Sequence, residues 1–95
     1  MVTVYVDEIK TYARVAPAVR RFGRRWCHMT ADSPEELHEM AAAIGLKREY
    51  FQSRPGPNRN LDHYDLIPPK RAMAIKHGAV EETLQQFMDR MRRAR

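Results

Sequence analysis

Three short alternations of apolar and polar residues predict the strands of this chain. In VTVYVD, Val2, Val4 and Val6 fall on one side and Thr3, Tyr5 and Asp7 on the other, the two-residue period of extended backbone. Both sides are largely apolar, which suits a central strand covered on both faces and leaves Asp7 at its C-terminal end. RRWCHMT, over 24–30, sets Trp26, His28 and Thr30 against Cys27 and Met29. HYDLI, over 63–67, puts His63 and Asp65 on one side and Tyr64 and Leu66 on the other.

The helical periods lie between and after these strands. Ser33, Pro34 and Glu36 form an S-x-x-E capping box with proline at the first helical position, a strong helix start. Leu37, Met40, Ala41 and Ile44 make its apolar stripe, and Gly45 ends it in a left-handed cap. Glu35 and Glu36 belong to the cap and the helix dipole and carry no chemistry. Leu46–Gln52 predicts a short helical turn presenting Tyr50 and Phe51. Pro68 and Pro69 stop the third strand and start a helix running to about His77, closed by Gly78. A last helix is expected from Val80 to about Arg93, with Val80, Leu84, Phe87, Met88 and Met91 as its stripe and Glu81 and Glu82 at its start. That stripe serves either the core or a second copy of the chain, core being the commoner use.

Two stretches break the pattern. Residues 9–25 contain Pro17 and Gly23 and read as a basic excursion with one irregular helical turn, placed as a flap. Residues 53–60, SRPGPNRN, read as a loop able to cover the strand at 63–67. The order strand, strand, helix, strand, helix, helix predicts a small single α/β domain over 1–95. Its sheet should have about three, mostly parallel, strands, with three to four helices.

Composition narrows the function classes. Ninety-five residues fit one core. No apolar run approaches the roughly 18–20 residues of a membrane span, and MVTVYVDEIK lacks the layout of a signal peptide. Cys27 is the only cysteine, so an intrachain disulfide and a four-cysteine zinc site are excluded. A cytoplasmic setting, in a bacterial cell or a phage-infected host, is the simplest expectation. The net charge of +5 is clustered: Lys10, Arg14, Arg20, Arg21, Arg24 and Arg25 precede any further acid, and Arg90, Arg92, Arg93 and Arg95 close the chain. Such clustering favours a polyanionic partner, although it also describes ordinary solvated faces.

The candidate chemistry gathers at Leu61–Ala79, where His63, Asp65, Lys70 and Arg71 fall within nine residues. With parallel strands, Asp7, His28, His63 and Asp65 would meet at one sheet edge, beside the helix start carrying Lys70 and Arg71. Three readings compete. In the first, a nucleotide or other phosphorylated molecule binds there, with Lys70 and Arg71 on phosphate and Tyr50, Phe51 or Trp26 stacking on a base. His28, His63 and Asp65 would then bind it, or act on it as acid and base. In the second, Asp7, His28, His63 and Asp65 hold a divalent metal and the protein is a phosphoesterase or nuclease. In the third, Arg20, Arg21, Arg24 and Arg25 bind nucleic acid without catalysis. Ala74-x-x-x-Gly78 with Leu84 and Phe87 has helix-turn-helix spacing, but Glu81 and Glu82 would repel phosphate there.

Taken together, VYVD, CHMTAD-x-x-EELHEMA, FQ before the loop, and HYD followed by KRAMAIKHGAV resemble domain of unknown function 4031. The resemblance covers most of the chain and leaves the stretch between Tyr12 and Arg25 as its variable part. It implies a small protein of bacteria or bacteriophages. The family carries no assigned reaction, so the resemblance supports the choice of residues and not a chemistry.

Overall fold

A computed structural model describes residues 3–53 and 62–93. The expected loop at 53–60 lies, apart from Ser53, outside the described residues, as do Val2 and Arg95. Among the described residues, five strands and three α-helices form one mixed sheet flanked on both faces. The strands are β1 (Val4–Val6), β2 (Lys10–Thr11), β3 (Arg25–Ala31), β4 (Tyr64–Leu66) and β5 (Val80–Glu81). The helices are α1 (Pro34–Ala43), α2 (Pro68–Lys76) and α3 (Leu84–Arg93), with 3₁₀ turns at Pro17–Phe22 and Arg48–Tyr50.

The long β3 is the centre of the sheet. β4 pairs antiparallel along one side of it, and β1 and β2 also pair with it antiparallel; only β5 is parallel, alongside β1. The expected, mostly parallel sheet is therefore a mixed one. Gln52, just after the Arg48–Tyr50 turn, is bridged antiparallel to His63, so β4 runs antiparallel to that segment as well as to β3.

The alternation read from sequence sorts the faces correctly. Val4, Val6, Cys27, Met29, Tyr64 and Leu66 are buried on one face, against Leu37, Ala41 and Ile44 of α1 and Ala74 of α2. The other face carries Tyr5, Asp7, His28, Thr30 and Asp65. There α3 lays Phe87 on the His28 ring and Arg90 over Tyr5.

The helix ends follow the local rules. Ser33 Oγ accepts the Glu36 amide at 3.3 Å. At the other end of α1, Gly45 (φ 78°) donates to Ala42 and Leu46 donates to Ala41, the paired hydrogen bonds of a Schellman cap. A Cβ at Gly45 would lie 3.3 Å from Lys70 Nζ in addition to the left-handed strain. Gly78 closes α2 with the same two bonds, to Ile75 and from Ala79 to Ala74.

The last helix begins later than its apolar stripe suggests. Val80 and Glu81 are strand, and α3 starts at Leu84 behind a second capping box. Thr83 Oγ1 accepts the Gln86 amide at 3.0 Å, and Gln86 Oε1 accepts the Thr83 amide at 2.7 Å. The T-x-x-Q spacing of 83–86 was the available signal. Because β5 intervenes between α2 and α3, the helix-turn-helix spacing at Ala74–Phe87 does not produce that motif. Of the expected stripe, Met91 is buried and Leu84 and Phe87 half-buried, while Val80 and Met88 are 48% and 53% exposed. No helix among the described residues is long and apolar enough to cross a membrane.

Candidate functional site

The site starts from a fault in the sheet. Val6 pairs with Met29 but Lys10 pairs with Trp26, so three residues of one strand face two of the other. That surplus is a β-bulge, and Asp7 opens it. Asp7 N–H donates to His28 C=O at 3.1 Å as a regular ladder bond would. The return bond is different: the His28 amide donates to Asp7 Oδ1 at 2.6 Å, so the side chain takes the place of its own main-chain carbonyl. The displaced Asp7 carbonyl accepts from Arg71 Nε at 2.8 Å, and Arg71 also reaches Glu81 at 3.2 Å.

The second carboxylate oxygen of Asp7 lies 2.8 Å from His28 Nδ1. Oδ1 already accepts the amide, so the carboxylate serves as acceptor and Nδ1 carries the ring proton. In the neutral ring Nε2 is therefore the lone pair that His28 presents. Its ring is stacked on Phe87 at 5.4 Å and meets His63 edge-on at 5.1 Å.

β4 supplies the other half. Asp65 is the cross-strand partner of His28, and His63, two residues before it, lies on the same face with a ring nitrogen 3.4 Å from the Asp65 carboxylate. Gln52 Nε2 donates to the other Asp65 oxygen. Burial raises the Asp65 pKa, but hydrogen bonds from His63 and Gln52 and the charge of the nearby histidines outweigh it and hold the group below the ordinary carboxylate value. His28, His63 and Asp65 thus bring one donor atom each to within 4.8 Å of one another. The expected meeting point at the edge of a parallel sheet is instead a point on the face of an antiparallel pair.

A cleft of about 970 Å³ opens over this cluster. The basic excursion, with Tyr12, Arg14 and Arg21, and Trp26 of β3 line one side, and residues 45–53 line the other, with Lys47 and Tyr50. Tyr12 is close enough to Asp65 and Asp7 that burial and their charge raise its pKa. Neither Arg14 nor Arg21 forms an ion pair with an acid among the described residues; Arg21 lies over the Phe22 ring at 4.7 Å. Arg20, Arg24 and Arg25 are exposed and do not line the cleft.

The two cations given the phosphate-binding role hold structure together. Lys70 borders the cleft, but its Nζ donates to Ile44 C=O at 2.6 Å and caps α1. Arg71 serves the bulge. Phe51 turns away to pack on His38 and Tyr64. Cys27 is 1% exposed and its thiol is pushed up to about 12, chiefly by burial, which excludes it as a nucleophile.

Pattern alone does not assign Gln52, Phe87, Tyr12 or Arg14 to the site. Gln52 had one signal, its place in the FQ pair before the loop. The others reach the site through tertiary contact.

The family model described as protein of unknown function, DUF4031, matches residues 4–94, almost the whole chain. The chain belongs to the DUF4031 family. The matched span contains the whole cluster and Gln52. No curated protein and no solved structure matches this DUF4031 chain.

Behind the site, His38 Nδ1 lies 2.8 Å from the Tyr64 hydroxyl, between the Phe51 and Tyr64 rings. Burial and then Arg48 lower its pKa, against smaller opposing effects of Glu35 and Asp62. The unfolded chain therefore takes up this proton first as pH falls below the ordinary histidine value of about 6.5. The stability that His38 contributes is complete above that value and is lost on acidification. We expect the urea midpoint to drop from roughly pH 7 to pH 5, with a shallower slope in His38→Gln. An unchanged slope in the variant would assign the acid sensitivity elsewhere.

Proposed function

We propose that this protein binds a phosphorylated, nucleotide-sized anion in the cleft over His28, His63 and Asp65. The observation that carries this reading is the lining of the cleft. Two arginines without acid partners among the described residues, Arg14 and Arg21, stand on the wall of a cleft of about 970 Å³ that also presents Tyr12, Trp26 and Tyr50. That volume is at the upper end for small-molecule sites, roughly 300–1,000 Å³. Guanidinium groups hold phosphate oxygens in pairs, and aromatic faces suit a base.

In this reading the phosphate role passes from Lys70 and Arg71 to Arg14 and Arg21, because the former pair already donate to main-chain carbonyls. His28 and Asp65 are fixed by their neighbours and present polar atoms without reordering on binding, which reduces the entropic cost.

A thermal-shift screen of nucleotides, dinucleotides and sugar phosphates in EDTA tests it. A ligand at ten times its Kd adds about 1.4 kcal/mol, several degrees for a chain of this size. We expect at least one such hit, lost in Arg14→Ala/Arg21→Ala and retained in Arg20→Ala/Arg24→Ala. Failure of every phosphorylated compound to stabilise the protein would sink the proposal. A hit equally lost with Arg20 and Arg24 would point to diffuse attraction to the exposed arginines instead of a site in the cleft.

A further inference from the structure

We propose that His28, His63 and Asp65 are the protein ligands of a divalent transition-metal ion, and that Asp7 is the positioning residue that prepares His28 for it. The three residues come from one tightly registered pair of strands, and one donor atom from each lies within 4.8 Å of the others. Tetrahedral bonds of about 2.1 Å place two donors about 3.4 Å apart. The His63 nitrogen and Asp65 oxygen already stand at that separation, 3.4 Å, and the His28 donor, within 4.8 Å of both, is the one that would close up on an ion.

The surroundings of the three residues argue for a metal over a simple ion pair. A metal-bound histidine takes its orientation and its free lone pair from a carboxylate on the other ring nitrogen. Asp7, 1% exposed, does this for His28 from Oδ2 while Oδ1 is anchored on the His28 amide. Asp65 is steadied in turn by Gln52. Phe87 and the edge of His63 leave the His28 ring little freedom to turn.

Two imidazoles and a carboxylate suit zinc, manganese or ferrous iron, and are a poor match to magnesium or calcium, which prefer all-oxygen shells. Three protein ligands facing a cleft leave at least one coordination position open, the arrangement of a catalytic rather than a structural site. An oxyanion would complete it. That last step rests on the proposed phosphorylated ligand; the ion itself does not.

The test uses the full chain, stripped with EDTA and titrated calorimetrically with zinc and manganese chlorides in the absence of any phosphorylated compound. We expect one ion per chain. His63→Ala and Asp65→Asn should abolish binding at micromolar metal, and His77→Gln should leave it intact. Asp7→Asn keeps all three ligands and should weaken binding by about 10–100-fold. In the same variant, saturating cobalt(II) should give an altered visible spectrum, since the change falls on the His28 donor and not merely on the fold. Circular dichroism of each variant confirms that it is folded. No binding at millimolar zinc or manganese, or stoichiometric binding that survives both His63→Ala and Asp65→Asn, overturns the proposal. A positive titration with a negative nucleotide screen would keep the metal and discard the ligand.

Discussion

Replacing Asp7 by alanine is expected to cost about 3 kcal/mol, a large effect for a residue at the end of a three-residue strand. The reason is the bulge. The Asp7 carboxylate stands in for the carbonyl that has turned to Arg71, so its removal leaves the His28 amide without an acceptor inside the sheet. An unsatisfied buried donor costs about 1–3 kcal/mol, and the lost bond from a charged acceptor to the ring adds about 1.5 kcal/mol or more. Asp7→Asn keeps an oxygen for the amide and should cost about half as much. Urea denaturation in EDTA measures both variants free of any metal. A loss below about 1 kcal/mol in Asp7→Ala would show that the amide finds another acceptor.

The second large effect is expected where α3 is fastened to the sheet. Arg90 donates to both carboxylate oxygens of Glu82, at 2.6 and 3.2 Å, and to Thr30 Oγ1 at 2.6 Å, with its guanidinium 3.9 Å above the Tyr5 ring. The two side chains are 17% and 7% exposed. Glu82→Ala strands the guanidinium and should cost about 3 kcal/mol, seen as a fall in Tm of more than ten degrees by roughly 4–8 °C per kcal/mol. Exchanging both partners, as Glu82→Leu with Arg90→Met, should return most of the loss, because the desolvation cost of both charges disappears with them. If the double variant is as unstable as the single one, hydrogen bonding to Thr30 and contact with Tyr5 carry the attachment of α3.

Local chemistry was legible and long-range partnership was not. Ser33, Pro34 and Glu36 announced α1, and Gly45 and Gly78 announced two helix ends, because capping is written in residues three or four apart. The alternation in HYDLI placed His63 and Asp65 together for the same reason. Strand direction is set by where the chain returns, and nothing in RRWCHMT or HYDLI encodes it. Lys70 and Arg71 looked like phosphate ligands because their charge is visible in sequence and the Ile44 and Asp7 carbonyls that engage them are not. Glu82 was read as a helix-start acid, whereas its partner Arg90 lies well along α3. Asp7 was placed in the site as a candidate ligand; its use as a substitute for main-chain carbonyl appears only with the register of β1 and β2 against β3.

The place of β1 between β3 and β5 has a consequence for the order of assembly. β1 and β3 can pair once residue 31 has been made, but the other side of β1 receives its partner only with Val80 and Glu81. During synthesis a nascent chain therefore carries an open, valine-rich strand edge for some fifty residues of elongation, a period of seconds at about 5–20 residues per second. Such an edge is a template for wrong pairing. β5, the last strand among the described residues, closes it, so shortened products ending before Val80 should be the aggregating ones.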